Sequence, residues 1–374
     1  MKKYVNKIIQ GDTLKVLKTL PDEIINCCVT SPPYWSLRDY GVEGQLGLEK
    51  TFEEYINKLC NIFDEVKRVL RKDGTCWVNL GDSYSGSGNG SNDYRNQNTK
   101  NYRKGITLYQ GQKPGKTSIS NKSLCLIPQR FAIEMVNRGW ILRNTIIWHK
   151  PNCMPSSAKD RFTVDFEYLY FFSKSKKYYF EQQLENLGSI CTRKRKSAFR
   201  QQNENDEDLI TTNGRNKRTV WKIPTKPFPD AHFAVFPEAL IETPIKAGCP
   251  KYVCKKCGKA REKIFETNNP KGISGRAGTP MVSKGIVDTF DGKQIIEPGH
   301  SSTVYSSAVY KGLTNCGCNA GFEPGIVLDP FMGAGTTAKV ALKQGKKYLG
   351  IELKQEYIDM ANKRIKAIPL KLFK

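Results

Sequence analysis

Two spacings of apolar residues alternate along this chain, and they predict helices and strands in turn. Residues 53–70 carry the clearest helical pattern, because their apolar side chains recur on one stripe. Helical patterns also occur at 13–20, 128–138, 236–246, 338–343 and 355–368. Short apolar runs predict strands at 7–10, 24–29, 75–80, 140–148, 166–172, 177–180, 325–328 and 348–352. This alternation predicts an α/β protein.

A glycine-containing turn connects the strand at 325–328 to the helix at 338–343, and its sequence is DPFMGAGTT. Strand, glycine turn and helix together present a helix N-terminus to a ligand in an open α/β sheet. Gly333 and Gly335 would let the backbone approach that ligand closely. Glu352 ends the next strand, where a carboxylate commonly holds a pair of ribose hydroxyls. A plain tight turn is the alternative, but these features together favour a site for a nucleoside cofactor.

A second motif, TSPPYW at residues 30–35, follows the strand at 24–29. Two consecutive prolines fix φ twice and remove two backbone donors, so the carbonyl groups there are rigidly aimed. The Ser31 hydroxyl and the Pro32 carbonyl can together accept both hydrogens of an exocyclic amine. Tyr34 offers a face on which an extruded base can stack. The alternative is a rigid turn with no function of its own.

Composition narrows the classes of function. Apolar residues make up 39% of the 374 positions, which is enough for a core, and no run approaches the roughly 20 apolar residues of a membrane span. The N-terminus has no signal-peptide pattern, so we expect a soluble cytoplasmic protein without a membrane partner. The formal charge of +24 indicates a polyanionic partner, and among polyanions it favours nucleic acid. A generally basic proteome is the alternative explanation.

Disulfides are rare in cytoplasmic proteins, so clustered cysteines among the twelve here indicate a metal. Cys254 and Cys257 have the spacing of half a tetrahedral zinc site, and Cys316 and Cys318 can supply the other half. Cys249 is a spare ligand candidate, and four free thiols are the alternative. The cysteines expected in the core are Cys27, Cys28, Cys60, Cys76 and Cys125.

Together, TSPPYW and DPFMGAGTT resemble the motifs of the S-adenosylmethionine-dependent methyltransferases that act on the amino groups of DNA bases. The resemblance covers about residues 1–180 and 232–374, and the motif order resembles the beta arrangement of this family. It implies a Rossmann-like, seven-stranded, circularly permuted methyltransferase sheet. It also implies site-specific methylation of double-stranded DNA with base flipping. A cognate restriction endonuclease is a further partner that the resemblance suggests, and a bacterial or phage source fits it.

Carried over to this sequence, the resemblance implies a catalytic pocket formed by Ser31, Pro32, Pro33 and Tyr34. It implies that Glu352 binds the ribose, that Asp12 lies near the adenine amino group, and that HFAVFP at 232–237 leads into the cofactor-binding half. The implied cofactor site comprises Asp12, Asp329, Pro330, Phe331, Gly333, Gly335, Thr336, Thr337 and Glu352. The departures are the stretch Met332-Gly333-Ala334, where these enzymes often have a Ser before the second glycine, and the cysteine-bearing insertion.

The same resemblance divides the chain into functional parts. Residues 1–180 form the catalytic half of the methyltransferase domain, with a flexible loop at 85–116. Residues 231–248 and 323–374 form the cofactor-binding half. Residues 181–230, with the basic clusters RKRK at 193–196 and RNKR at 215–218, are the expected target-recognition region. Residues 249–322 are the cysteine-rich zinc insertion.

The target amine is cytosine N4 or adenine N6. In the family, Ser before Pro-Pro occurs more often with cytosine, so Ser31 predicts cytosine N4, with pocket size around Tyr34 and Trp35 also contributing. No cysteine follows a proline, which argues against C5-cytosine methylation and favours direct transfer to an amine. A methyltransferase of RNA or of protein glutamine is one alternative, although those have the opposite motif order. A non-catalytic zinc-ribbon nucleic-acid-binding protein is the other, and the intact motifs argue against it.

Overall fold

The computed structural model describes residues 3–36, 44–86, 119–186, 214–226, 236–268 and 307–368. The chain forms two compact units. The larger comprises Met1–Gln183, Asn216–Arg261 and Cys316–Lys374, and the smaller comprises Leu184–Arg215 and Glu262–Asn315. Both predicted zinc-binding cysteine pairs therefore belong to the larger unit. The functional boundaries inferred from the sequence stay a prediction.

The described residues contain fourteen strands and six helices. The strands are β1 (Lys7–Gln10), β2 (Ile25–Thr30), β3 (Leu70–Leu80), β4 (Ile141–His149), β5 (Phe166–Ser173), β6 (Leu184–Asn186), β7 (Gly214–Asn216), β8 (Val220–Lys222), β9 (Val253–Cys254), β10 (Lys263–Asn268), β11 (Ser307–Leu313), β12 (Phe322–Glu323), β13 (Ile326–Asp329) and β14 (Lys347–Glu352). The helices are α1 (Thr13–Thr19), α2 (Phe52–Val69), α3 (Ile127–Asn137), α4 (Glu238–Gly248), α5 (Thr336–Lys343) and α6 (Gln355–Lys366).

Eight strands of the larger unit form one sheet, in the order β1-β14-β13-β2-β3-β5-β4-β8. All neighbours are parallel except the two pairs that β5 makes. The carboxyl ends of the other strands therefore meet at one edge, beside the amino end of β5. The prediction of seven strands was wrong by one. β8 is only three residues long and lies in a basic stretch, so no apolar run reveals it.

The sheet is covered on both faces, because alternate residues of its strands pack in two separate apolar clusters. In β2, Cys28 belongs to the cluster that includes α1, α2 and α3, whereas Cys27 and Val29 belong to the cluster that includes α4 and α5. The hydroxyl of Thr51 caps α2 by accepting a hydrogen bond from Glu54 N at 3.2 Å. Helices on both faces of a mainly parallel sheet confirm the predicted α/β class.

Two predicted elements differ from the structure. Residues 177–180 are not a strand but an extended segment in which Phe180 stacks on Phe171, with ring centroids 5.6 Å apart. β3 begins at Leu70, before the predicted turn at 72–74, because a register shift in its pairing with β2 takes the turn residues into the strand. The five cysteines expected in the core are all buried.

Short two-stranded ribbons complete the described structure. β10 pairs with β11 in the smaller unit, β9 pairs with β12 in the larger unit, and β6 forms a two-stranded ribbon with β7. Residues 87–116 of the predicted loop, the cluster at 193–196 and residues 232–235 lie outside the described residues. Within the described ranges, no helix has both the length and the apolar character that crossing a bilayer requires.

Candidate functional site

Polar and apolar residues at the common edge of the strands surround a cavity of about 870 Å³. The cavity brings the two motifs together although Thr30 and Asp329, one from each, are 299 residues apart in the chain. Gly335 and Thr337 do not line it. The predicted residues that do are Asp12, Ser31, Pro32, Pro33, Tyr34, Asp329, Pro330, Phe331, Gly333, Thr336 and Glu352.

Asp329, at the end of β13, connects the two motifs. The residue is only 1% exposed. One carboxylate oxygen accepts hydrogen bonds from Thr30 Oγ1 at 2.6 Å and from Phe331 N at 3.0 Å, and the other accepts from Thr337 Oγ1 at 2.7 Å. Burial raises the pKa of Asp329 to about 6, although these hydrogen bonds favour the carboxylate. Both oxygens are engaged within the protein, so Asp329 and Thr337 hold the turn in place.

Glu352, at the end of β14, is oriented by backbone donors. One carboxylate oxygen accepts from Leu353 N at 2.9 Å and from Lys354 N at 3.0 Å, and the other accepts from Gly333 N at 2.8 Å. Burial raises the pKa of Glu352. A carboxylate has about four acceptor positions, so one position stays open among the described residues. The fixed carboxylate can therefore accept one more hydrogen bond from a ligand in the cavity.

The two glycines of the turn have different surroundings. Gly333 has φ +51°, and a Cβ there would meet only the Phe331 carbonyl oxygen at 3.9 Å. Gly335 has φ +78°, and a Cβ there would lie 2.7 Å from the Cβ of Ala361 in α6. Gly333 therefore faces open space beside the cavity, whereas Gly335 permits helix α6 to pack against the turn.

A hydrogen-bond network holds the Tyr34 side chain. Its hydroxyl donates to Glu167 Oε2 at 2.8 Å, and Asn79 Nδ2 donates to the same oxygen at 3.0 Å. The Lys150 ammonium pairs with the other Glu167 oxygen. Burial, followed by the Glu167 charge, raises the pKa of Tyr34, so the phenol stays protonated. The ring lies against Gly81, where a Cβ would be 2.6 Å from a ring carbon.

Two residues of the proline motif that line the cavity, Ser31 and Pro32, carry potential hydrogen-bond acceptors. Ser31 Oγ lies 3.5 Å from Tyr34 Oη. The Pro33 carbonyl is occupied, because it accepts from Tyr55 Oη at 2.7 Å. No donor within the described ranges reaches the Pro32 carbonyl. The Ser31 hydroxyl and the Pro32 carbonyl thus keep acceptor capacity among the described residues.

Trp35 does not contribute to the pocket, contrary to the prediction. Its indole is buried, donates from Nε1 to the Glu49 carbonyl at 3.0 Å, and packs edge-on against Phe52 with centroids 6.0 Å apart. The spacing of the motif cannot indicate this, because the side chain after Tyr34 turns into the core.

The four predicted zinc ligands form a cluster away from this cavity. The Sγ atoms of Cys254, Cys257, Cys316 and Cys318 lie within 4.8 Å of one another. Four sulfurs at zinc–sulfur distances of about 2.3 Å would be about 3.8 Å apart, so only a small contraction is needed. A hydrogen bond from the backbone N–H of Cys257 lowers the pKa of the Cys254 thiol to about 6. Cys254 is thereby suited to bind a metal as a thiolate.

The cluster is anchored to the main sheet. Arg71, in β3, donates from Nη2 to the Cys257 carbonyl at 3.0 Å. Cys254 lies in β9 and pairs with Phe322 in β12, which brings the second cysteine pair alongside. Cys249 is not part of the cluster. It is buried in the apolar cluster of α4 and α5, and burial raises its pKa to about 12.

Comparison with known proteins places these features in a family. A family model described as DNA methylase, covering N6 and N4 methyltransferases, matches residues 25–254 and 303–363. The chain belongs to this DNA methylase family. The methylase is 34% identical to the type II methyltransferase M.Cfr9I of Citrobacter freundii, over 96% of this chain and 87% of that protein. It is 33% identical to the type II methyltransferase M.SmaI of Serratia marcescens, over 96% of this chain and 90% of that protein.

The fold of the methylase is also similar to a solved structure, PvuII DNA methyltransferase (cytosine-N4-specific). The TM-score is 0.52 at 17% sequence identity, over 98% of this chain and 89% of that chain. At this identity the likeness concerns the fold, a mixed α/β architecture around a large central sheet. DNA is accordingly the substrate of this methylase, as the motifs and the positive charge predict.

Sequence reasoning missed several residues that line the cavity of the methylase. One signal for them was present: Glu167 is the only charged residue in the otherwise apolar stretch 166–172. Lys150 likewise comes directly after β4, at the ligand-facing edge. The missed residues include Asn79, Trp148, Lys150, Glu167, Thr225 and Lys226.

Proposed function

We propose that this DNA methylase transfers the methyl group of S-adenosylmethionine to the exocyclic N4 amine of a cytosine extruded from double-stranded DNA. The observation that carries the proposal is that one cavity of about 870 Å³ is lined both by the glycine turn with Glu352 and by Ser31 with Pro32. A cofactor on the first side and a base on the second would be neighbours, as direct transfer requires.

The glycine-turn side of the cavity suits the cofactor. Gly333 leaves room where another residue would carry a side chain, and Glu352 keeps an acceptor position for a ribose hydroxyl. We assign Asp12 to the adenine amino group and Phe331 to the methionine part, with Pro330 and Thr336 completing the lining. When bound, S-adenosylmethionine supplies an electrophilic methyl group. Asp329, Thr337 and Gly335 support the turn from beneath.

The opposite side of the cavity suits an amine. The Ser31 hydroxyl and the Pro32 carbonyl accept its two hydrogens, which draws the nitrogen lone pair out of conjugation with the ring. As the nitrogen–methyl bond forms, the methyl–sulfur bond breaks. The amine then releases one proton to water, and the products are the neutral methylated base and S-adenosylhomocysteine. The Tyr34 ring covers the base, and Glu167 sets the orientation of the ring through its hydroxyl.

Cytosine is favoured over adenine by two features. Ser31 precedes Pro-Pro, and this residue occurs more often with cytosine in the enzymes that the motif resembles. The Lys150 ammonium lines the cavity and can donate to a ring carbonyl, which cytosine has and adenine lacks. Adenine N6 is the second candidate, since it presents the same exocyclic amine.

The identity of the methylated nucleoside tests this proposal. The methylase is incubated with unmodified plasmid DNA and S-adenosylmethionine, and the DNA is digested to nucleosides for mass spectrometry. We expect N4-methylcytosine. N6-methyladenine would overturn the choice of base but not the amine chemistry, and 5-methylcytosine would overturn both.

Ser31→Ala tests the role of the hydroxyl in the same assay. We expect a rate lower by roughly 10²-fold, because one acceptor in the transition state is lost. Calorimetric binding of S-adenosylmethionine should be retained. Ser123→Ala, at an exposed serine outside the cavity, is the control and should keep full activity.

We infer further that the cysteine cluster holds one structural zinc ion. Four thiolate donors with no open position are the donor set of a structural site. The cluster contains the residues at the two ends of the segment between Cys257 and Cys316. A bound zinc ion would hold these two ends of the segment together.

Three wider assignments complete the proposal. The PPY motif precedes the glycine motif, so we infer that the sheet is circularly permuted in the beta order. We assign target recognition to the basic residues 181–230. We also propose a cognate restriction endonuclease as a functional partner, since M.Cfr9I and M.SmaI are named type II methyltransferases.

A further inference from the structure

The connection between β4 and β5, residues 150–165, leaves and re-enters the sheet at the rim of the cavity. Lys150, its first residue, and Glu167, in β5 just beyond its end, both line the cavity. The Asn152 amide is paired with Thr225, another lining residue, through hydrogen bonds of 3.0 and 2.8 Å. We call residues 150–165 the β4–β5 loop. Its position places it beside any base that enters the cavity.

Internal and flanking contacts hold this loop in shape. Lys150 N donates to the Asp165 carbonyl at 2.7 Å, and Ser156 N donates to Thr163 Oγ1 at 3.3 Å. These bonds connect the part of the loop that leaves β4 to the part that returns to β5. Asp160 pairs with Lys122 at 2.9 Å from outside the loop. The chain between these contacts is thus presented in a defined conformation.

The loop exposes three large apolar side chains, of which Val164 is half exposed and the other two are almost fully exposed. Phe162 is 96% exposed and Met154 is 88% exposed. Single exposed apolar residues are common on protein surfaces. Here, however, Phe162 and Met154 lie together on one loop that is held beside the cavity of an enzyme acting on DNA. Both are side-chain types that proteins insert between bases to unstack a duplex.

Cationic side chains accompany these apolar residues. Lys159 lies on the same loop, and the guanidinium of Arg161 stacks on the Tyr84 ring at 3.6 Å. Lys122 lies alongside, and Lys226 lines the cavity. A loop that combines exposed apolar side chains with flanking positive charge is complementary to DNA, whose phosphates surround an apolar stack of bases.

We propose that the β4–β5 loop inserts Phe162, supported by Met154, into the base stack of the duplex when the target base moves into the cavity. The inserted side chains occupy the space that the base leaves and so oppose its return. This inference rests on the proposed function in one respect, because it requires that the methylated base leaves the stack. Extruding a paired base is costly, and the cost is smaller when the base is mispaired.

The test uses paired and mispaired forms of one substrate. The sites that the wild-type methylase modifies are first mapped on plasmid DNA, and oligonucleotide duplexes carrying one site are then prepared. In one duplex the target base is correctly paired, and in the other only the base opposite the target is replaced to create a mismatch. Phe162→Ala should lower kcat/KM on the paired duplex by roughly 10- to 100-fold, since a stacking contact is lost. On the mismatched duplex its activity should return to within about threefold of the wild type.

Controls separate insertion from other roles of the loop. Phe162→Leu keeps an apolar side chain and should retain most of the activity on the paired duplex. Ile133→Ala removes a large apolar side chain that is 62% exposed on α3, outside the cavity lining, and should have no effect on either duplex. Phe162 is almost fully exposed, so its replacement leaves the core intact.

The outcomes are distinct. A Phe162→Ala variant that is as active as the wild type on the paired duplex would overturn the proposal, as would an equal loss on both duplexes. If the wild type methylates no DNA, the proposed function fails, and insertion fails with it. If the wild type is active and only the variant pattern differs from expectation, insertion alone is overturned.

Discussion

Replacing Gly335 with alanine tests which glycine of the turn serves the fold and which serves the ligand. The sequence motif treats Gly333 and Gly335 alike, as positions where the backbone approaches a cofactor. In the structure, an alanine methyl at Gly335 would lie 2.7 Å from the Cβ and 3.1 Å from the Cα of Ala361. It would also need the left-handed φ of +78°. We therefore expect Gly335→Ala to destabilise the methylase rather than block its cavity.

The expected loss of stability in Gly335→Ala has two parts. A residue with a Cβ in the left-handed region costs about 1–2 kcal/mol. Forcing a methyl group into an occupied contact costs about 1–3 kcal/mol more. The free energy of unfolding should thus fall by about 2–5 kcal/mol. In an Ala361→Gly background the opposing methyl is absent, so a double-mutant cycle should give a coupling of about 1 kcal/mol or more.

Gly333→Ala is the matched variant. It carries a left-handed φ of +51°, but its Cβ would meet only the Phe331 carbonyl oxygen at 3.9 Å. We expect a loss of about 1–2 kcal/mol in stability, together with weaker binding of S-adenosylmethionine. Urea unfolding measures the stability of all four variants, and titration calorimetry measures binding. If Gly335→Ala abolished binding while leaving the free energy of unfolding unchanged, the assignment of Gly335 to helix packing would be refuted.

Two further predictions concern buried charge and metal. Burial raises the pKa of Asp329 from 3.8 to about 6, so the stability that this carboxyl contributes is fully present below pH 3.8 and is lost as pH rises through 6. The difference corresponds to about 3 kcal/mol. The free energy of unfolding of the wild type minus that of Asp329→Asn should therefore fall by about this amount between pH 4 and pH 7.5. A difference that is constant with pH would contradict the reasoning. Elemental analysis should find one zinc per chain in the wild type and in Cys249→Ala, whose thiol lies outside the cluster, but not in Cys257→Ser. Wild-type protein without zinc would remove the metal assignment.

Local patterns in the sequence were sufficient to predict much of the fold and the general chemistry of the site. The helical stripe at 53–70 depends only on the spacing of apolar residues, and α2 spans Phe52–Val69. The spacing of Cys254 and Cys257 was likewise sufficient to predict that their thiols belong to one cluster, because a separation of three residues brings two side chains together in a local turn. The two motifs could be recognised as those of one enzyme family because each consists of a few consecutive residues. Such features can be predicted from the sequence because their physical cause lies within a short stretch of chain.

The tertiary structure decided those roles of residues that depend on contacts with residues distant in the chain. Gly335 could be assigned to packing only once Ala361 was found against it. Glu167 and Lys150 became part of the site only through the antiparallel placement of β5 beside β3 and β4. The burial of Trp35 depends on Phe52 and the Glu49 carbonyl. In each case the deciding contact is made across the folded chain, and the periodicity of neighbouring residues carries no information about which distant partner will meet it.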